Sequence, residues 1–319
     1  MSQQNTSIYG GQAVIEGVMF GGRNVNVTAV RRKNEEIVYY EVPRPEQKPW
    51  YQPLKKIPFV RGIVGILESS VKGSQHLNFS LEAYAEDEHG EDNQDPAKAA
   101  APKKAEKSGW SLSMIVGVAV ASIISFAAGK IVFTLVPAII EELLFEQAFK
   151  NIIIHNLIEG LIKIIFLLGY LYIISLTPLV KRLFQYHGAE HKVISAYEDG
   201  AELTVGNVQR YTRLHYRCGS SFLVFSVIVG VIVYSFFDWD NMWERIYIRL
   251  LLLPLVLGAS YEVLRLTNAV RDVPVLRYLG YPGLWLQKLT TKEPTDDQVA
   301  VSIASFNRMR ELEGRLAGR

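Results

Sequence analysis

The run Tyr186-His-Gly-Ala-Glu-His-Lys192 sets His187 and His191 four residues apart, with Glu190 directly before the second histidine. On a helix, positions i and i+4 share one face, so both imidazoles can reach a single ion. The order H-x-x-E-H is one in which the carboxylate acts as base toward a metal-bound water. After a gap of 23 residues, Arg213-Leu-His-Tyr-Arg-Cys-Gly-Ser-Ser221 offers His215 and Cys218 at i and i+3. If the two ends of the intervening segment meet, a three- or four-donor N/S site for a divalent metal of the zinc type follows. Four bound donors would make a closed, structural site. Three donors, with a water in the fourth place and Glu190 free, would make a hydrolytic one. Plainer readings stay open beside these: interfacial histidines also pair with lipid headgroups, and a single cysteine at the head of an apolar helix is ordinarily a packing residue.

The elements that must position these donors read as membrane spans. Of the 319 residues, 49% are hydrophobic and only 21% charged, and the mean hydropathy is +0.11. About 20 apolar residues cross a hydrocarbon core as a helix. Four stretches qualify: Leu112 to Ile140, Ile152 to Leu179, Cys218 to Phe237 and Ile246 to Leu266, the last interrupted by Arg249, Pro254, Glu262 and Arg265. Lys and Arg gather before the first stretch (Lys98 to Lys107), between the second and third (Lys181 to Arg217) and after the fourth (Arg271 to Lys292). That bias puts both termini and the 180–217 loop in the cytoplasm, across an inner membrane. Within the spans, Glu159 and Lys163 are spaced to pair, as are Glu262 and Arg265. Lys130 lies deeper, and Glu159 is a candidate partner for it.

The expected fold is therefore an α-helical integral membrane protein of about four transmembrane helices, with a small cytoplasmic α+β module at the N-terminus and a helical cytoplasmic tail. Residues 1–85 form the module. Val25 to Ala29 and Ile37 to Glu41 alternate around Arg31-Arg-Lys-Asn-Glu35 as two strands and a turn, and Val60 to Tyr84 reads as a helix packed on the strands or lying along the membrane. Residues 86–109 are polar and Ala/Lys-rich, too poor in apolar bulk to offset ordering entropy, and read as a flexible tether. Residues 110–266 hold the spans, with the histidine loop at 180–217. Residues 267–319 form the tail, whose last helix starts near Gln298 with Thr295 and Gln298 in capping-box spacing.

Several classes are excluded. A formal net charge of +2 gives no general attraction to nucleic acid. The lone Cys218 rules out an intrachain disulfide framework. No phosphate-binding loop surrounds Gly10-Gly11 or Gly21-Gly22, no G-x-S-x-G nucleophile occurs, and no cleaved signal peptide is expected.

Four longer blocks resemble a family of bacterial multi-pass membrane proteins, the YqhQ-like family: Gly10-Gly-Gln-Ala-Val-Ile-Glu-Gly-Val-Met19, Tyr186 to Lys192, Leu214-His-Tyr-Arg-Cys-Gly219 and Pro282-Gly-Leu-Trp-Leu-Gln-Lys-Leu-Thr-Thr-Lys-Glu-Pro294. Tyr216 departs from the proline expected before Arg217. The resemblance implies a multi-pass membrane protein of unknown function, with a metal-dependent enzyme as the customary guess. It also draws Gln12, Glu16, Thr291, Glu293 and Asp297 into view, and suggests that module, loop and tail fold together around one site.

Three functions fit these expectations. The first is a metal-dependent hydrolase acting on a membrane-associated substrate, with His187, His191, His215 and Cys218 as ligands and Glu190 as the base. The second is a non-enzymatic membrane scaffold or regulator that binds a cytoplasmic protein partner, any metal in it being structural. The third is a small transporter working as a homo-oligomer through Glu159, Lys163, Lys130 and Glu262.

Overall fold

The computed structural model describes residues 9–44, 50–89, 128–129 and 131–317. Most of the 86–109 segment, most of the first expected span and Lys130 lie outside them.

The N-terminal residues form four antiparallel strands in meander order, β1 (Gly10–Val14), β2 (Gly17–Gly21), β3 (Val25–Arg31) and β4 (Ile37–Pro43). Only the β3–β4 hairpin follows from alternation. The β1–β2 hairpin is hidden because its strands are rich in glycine, which is depleted in sheets. Its turn sets Glu16 at a φ of 53°. Gly17 then lies so close to the carbonyl of Ala29 on β3 that a Cβ would collide with it.

Helix α1 (Val60–His89) runs past its expected end at Tyr84 and packs on one face of the sheet. Phe79 stacks on Tyr40 at 4.9 Å between ring centroids. Fully buried His76 places Nδ1 2.6 Å from Thr28 Oγ1. The N-terminal half of α1 instead lies against a long apolar helix, where Gly62 meets the ring of Tyr261. Of the two options open at the sequence level, packing on the strands holds for the C-terminal half of the helix, while its N-terminal half lies on the helix bundle.

The bundle contains α2 (Val136–Phe145), α3 (Ile152–Ser175), α6 (Ser221–Tyr234) and α7 (Met242–Ala269), with α4 (Pro178–Glu198) and the short α5 (Val205–Val208) between α3 and α6. Asn151 caps α3 by accepting from the Ile153 N–H at 2.8 Å. Pro178 ends the expected second span early and starts α4, since the residue before proline avoids helical backbone. Two helices, α3 and α7, are long and apolar enough to cross a membrane. Their 24 and 28 residues correspond to about 36 and 42 Å. Helix α6 has 14 residues, shorter than the expected 218–237 span because the chain turns tightly through Cys218–Ser221 at one end and Phe236 at the other.

The buried charges of the bundle form one network. Glu159 pairs with Lys163 at 2.7 Å and also accepts from Arg245 at 2.6 Å and from Arg249. Arg245 reaches Glu141 at 2.8 Å, and Glu141 meets His155 Nδ1 at 2.5 Å. Glu262 does not pair with Arg265 as its spacing suggests. It accepts from Arg61 Nε at 2.7 Å and from the Phe59 N–H, which ties α1 to α7.

The chain closes with α8 (Tyr281–Thr290) and α9 (Asp296–Ala317). The capping box is present: the Thr295 N–H donates to Gln298 Oε1 at 2.9 Å and the Gln298 N–H to Thr295 Oγ1 at 3.4 Å. Helix α9 covers the sheet face opposite α1. One core joins Phe20, Val25 and Val27 of the sheet, Tyr186, Val193 and Ile194 of α4, and Val299, Phe306 and Met309 of α9. Strand β3, buried on both faces, is the middle layer.

His76 has a consequence for stability. Burial lowers its pKa to about 4, against an unfolded value of about 6.5. Between these values the unfolded chain binds the extra proton, so stability is complete above pH 6.5 and falls as the pH drops toward 4. About 2 kcal/mol should be lost between about pH 7 and pH 5. Melting curves across that window should show the slope in the wild type and a flatter one in His76→Gln.

Candidate metal centre

Helix α4 presents its motif to the sheet on one side and to the 281–296 segment on the other. Gly188, between the two histidines, has no room for a Cβ because the Lys292 carbonyl lies against it. That close approach lets the 290–294 strap fold over the helix, with the Lys292 N–H donating to the Phe184 carbonyl at 2.8 Å.

The strap and the 209–213 turn then orient the imidazoles. His187 Nδ1–H donates to the Thr290 carbonyl at 2.8 Å, and His191 Nδ1–H donates to the Arg213 carbonyl at 2.6 Å. Carbonyls only accept, so in the neutral rings both protons sit on Nδ1 and neither Nε2 carries one. The turn at the head of α6 brings Cys218 Sγ to 3.3 Å from His187 Nε2. Donor atoms of His187, His191 and Cys218 all lie within 4.8 Å of one another. Protonated Nδ1 on a backbone carbonyl with Nε2 bare is how ligating histidines are usually held. The cluster could hold a metal ion; two imidazoles and a thiolate suit zinc.

Glu190 lies beside this group, with Oε2 3.5 Å from His191 Nε2. Burial pushes its carboxyl above the usual range, against the pull of His187, His215 and the backbone N–H of Gly11. Gly11 is glycine for this reason: a Cβ there would stand 2.6 Å from Glu190 Cγ. The first glycine-rich block therefore serves the second block directly.

His215 is near but turned away. Its ring centroid is 5.8 Å from that of His191, yet Nδ1 accepts from the Arg217 N–H at 3.3 Å and Nε2 faces Glu198 Oε2 at 3.7 Å. Burial opposes ionisation of Glu198, but His215 and Arg217 outweigh it and hold the carboxyl below its ordinary value. Burial likewise keeps the His215 pKa down. Of the expected three or four donors, His187, His191 and Cys218 converge, and His215 is a neighbour paired elsewhere.

The other block residues brace the centre from outside. Glu16 forms a bidentate pair with Arg182 and accepts from Tyr186 Oη at 3.3 Å. Glu293 binds buried Lys192 at 2.8 Å and Arg213 at 3.2 Å. Thr291 Oγ1 accepts from Arg213 at 3.0 Å, and Asp297 sits 3.5 Å from Arg31. Gln12 lies against Gly73 of α1. Sequence reasoning missed Gln287, which is fully buried. It accepts from the His215 N–H and donates to the His215 carbonyl and to Ser221 Oγ, each at 2.8 Å. Its one signal was a polar residue on the apolar face of an otherwise amphipathic helix.

Residues 57–312 match the family model described as "Protein of unknown function (DUF1385)". The chain belongs to this family. It is also 52% identical over 305 residues to the "Uncharacterized protein YqhQ" of Bacillus subtilis (strain 168), an alignment that covers 96% of this chain and 93% of that one. No solved structure matches. Three of the four blocks that suggested the YqhQ-like resemblance fall within the DUF1385 match, and the first, Gly10 to Met19, precedes it.

Proposed function

We propose that this DUF1385 member is a multi-pass inner-membrane protein whose cytoplasmic face carries a zinc-type centre held by His187, His191 and Cys218. The observation that supports it is the pair of Nδ1–H bonds to Thr290 and Arg213, which leaves both Nε2 atoms unprotonated, that of His187 beside the Cys218 thiol, with donor atoms of all three residues within 4.8 Å of one another. The spans are α3 and α7, with α6 and the apolar stretch before α2 completing the four-span reading. Zinc held by these three donors would supply a water in its fourth position, and Glu190, 3.5 Å from His191 Nε2, would accept the proton. Hydrolysis of a bond in a membrane-associated substrate is the reaction that this arrangement serves best. His215 and Glu198 form an outer pair that steadies His191 and the 213–217 turn.

A second reading is favoured by one observation: His191, Cys218 and Glu190 are all 5% exposed or less. A centre so closed also suits a structural metal that fastens strap, helix and turn together in a scaffold. Metal analysis of the purified full-length protein tests the shared premise. The wild type should carry about one zinc per chain, and His187→Ala and His191→Ala should carry almost none. A metal-free wild type, prepared without chelators and offered zinc, would sink both readings. Glu190→Gln then separates them: a hydrolase keeps fold and zinc but loses its cellular role, whereas a scaffold keeps all three.

A further inference from the structure

A cavity of about 560 Å³ lies between α2, α3, α6 and α7, within the roughly 300–1,000 Å³ typical of small-molecule sites. Its wall changes character along its length. On α3 the lining residues Glu159, Lys163, Leu167 and Leu171 recur at four-residue intervals, one stripe about 18 Å long. On α7 the same change runs from Arg249 to Leu253 and Val256. One end is charged and the other is hydrocarbon.

The charged end is incompletely satisfied. Arg249 is 4% exposed; its Nη2 is bonded to Glu159, but its Nη1 has no hydrogen-bond partner. The single carboxylate among the described residues of the wall, Glu159, is already shared among Lys163, Arg245 and Arg249. Behind it Arg245 also draws on Glu141, and on Glu142 at 3.7 Å. A guanidinium nitrogen buried without a partner is costly, and an anion beside it removes that cost.

We propose that the cavity binds an anionic amphiphile. Its carboxylate or phosphate would lie on Arg249 Nη1 and Lys163 Nζ, and its acyl chain would follow Leu167, Leu171, Leu253 and Val256. The site is separate from the metal centre and shares with the proposed function only the membrane setting from which such a ligand comes.

Thermal unfolding of the full-length protein in a neutral maltoside detergent tests this without reference to metal. Oleate and phosphatidylglycerol are the charged probes; oleyl alcohol and phosphatidylcholine are their uncharged and zwitterionic counterparts. At saturation a charged probe should raise Tm by roughly 5 °C or more, and its counterpart should do little. A response to oleate alone points to a free fatty acid, and one to phosphatidylglycerol alone to a bilayer lipid. Arg249→Gln removes the head contact, and Ser226→Phe fills the apolar wall while leaving every charge in place. Each should abolish the shift, and Ser226→Phe decides the matter if Arg249→Gln does not fold. Equal shifts from charged and neutral probes, no shift from any probe, or an undiminished shift in Ser226→Phe would overturn the proposal.

Discussion

Stripping the metal from the zinc-loaded protein should lower its Tm by roughly 10 °C. An ion bound about a thousandfold above its dissociation constant stabilises the folded chain by about 4 kcal/mol, and each kcal/mol moves the midpoint of a protein this size by about 2–4 °C. The donors explain why the effect should be large. His187 and His191 belong to α4, Cys218 precedes α6, and the carbonyls that orient the rings come from Thr290 and Arg213. One ion would tie three segments distant in sequence: α4, the 213–218 turn and the strap that begins at Thr290. Cys218→Ser should lose most of the chelator response, because a hydroxyl is a poor substitute for a thiolate on zinc. Ser220→Ala, which removes only the hydroxyl 3.1 Å from the thiol, should retain it. Differential scanning fluorimetry with and without a zinc chelator reads both. A zinc-replete sample whose melting ignores the chelator would contradict the expectation.

Arg245→Ala should cost about 3–5 kcal/mol, the usual penalty for stranding a buried charge. Arg245, Glu141 and Glu159 are each 2% exposed or less, so water cannot take over the lost contacts. The loss arises less from the missing attraction than from two carboxylates left with too few cations. Arg245→Ala combined with Glu141→Gln should therefore recover part of it, although two contacts are then absent. The contrast is Arg308→Ala, which breaks an outer pair with Glu41 at 2.6 Å, both partners being about one-third exposed. Such pairs contribute about 1 kcal/mol or less. Denaturant unfolding in detergent measures all three, and equal costs for Arg245 and Arg308 would refute the buried-network account.

How much of this was legible in the sequence depended on whether the signal was local. The start of α3, the capping box on α9 and the Glu159–Lys163 pair all lie within a few residues of the groups that cause them. The placing of His187, His191 and Cys218 near one another rests on a spacing and on a loop whose ends meet. Long-range partners could not be read. His215 sits at a plausible ligand spacing from Cys218, but Glu198 at the end of α4 takes its ring. Glu262 stands three residues from Arg265, yet Arg61 from another part of the chain has the better approach. Strands β1 and β2 gave no alternation because their glycines answer to contacts elsewhere: Gly11 to Glu190, Gly17 to Ala29. For His215 and Glu262 spacing proposed a partner and tertiary packing supplied another.

The order in which this chain leaves the ribosome bears on when its centre can exist. The histidines and cysteine are synthesised well before Thr290, whose carbonyl sets the ring of His187, and before α9, which completes the core around α4. A nascent polypeptide that ended at residue 280 would lack the carbonyl that sets the ring of His187 and the helix that closes the core around α4, so the candidate cluster can take its final geometry only after the 290–294 strap and α9 have been made.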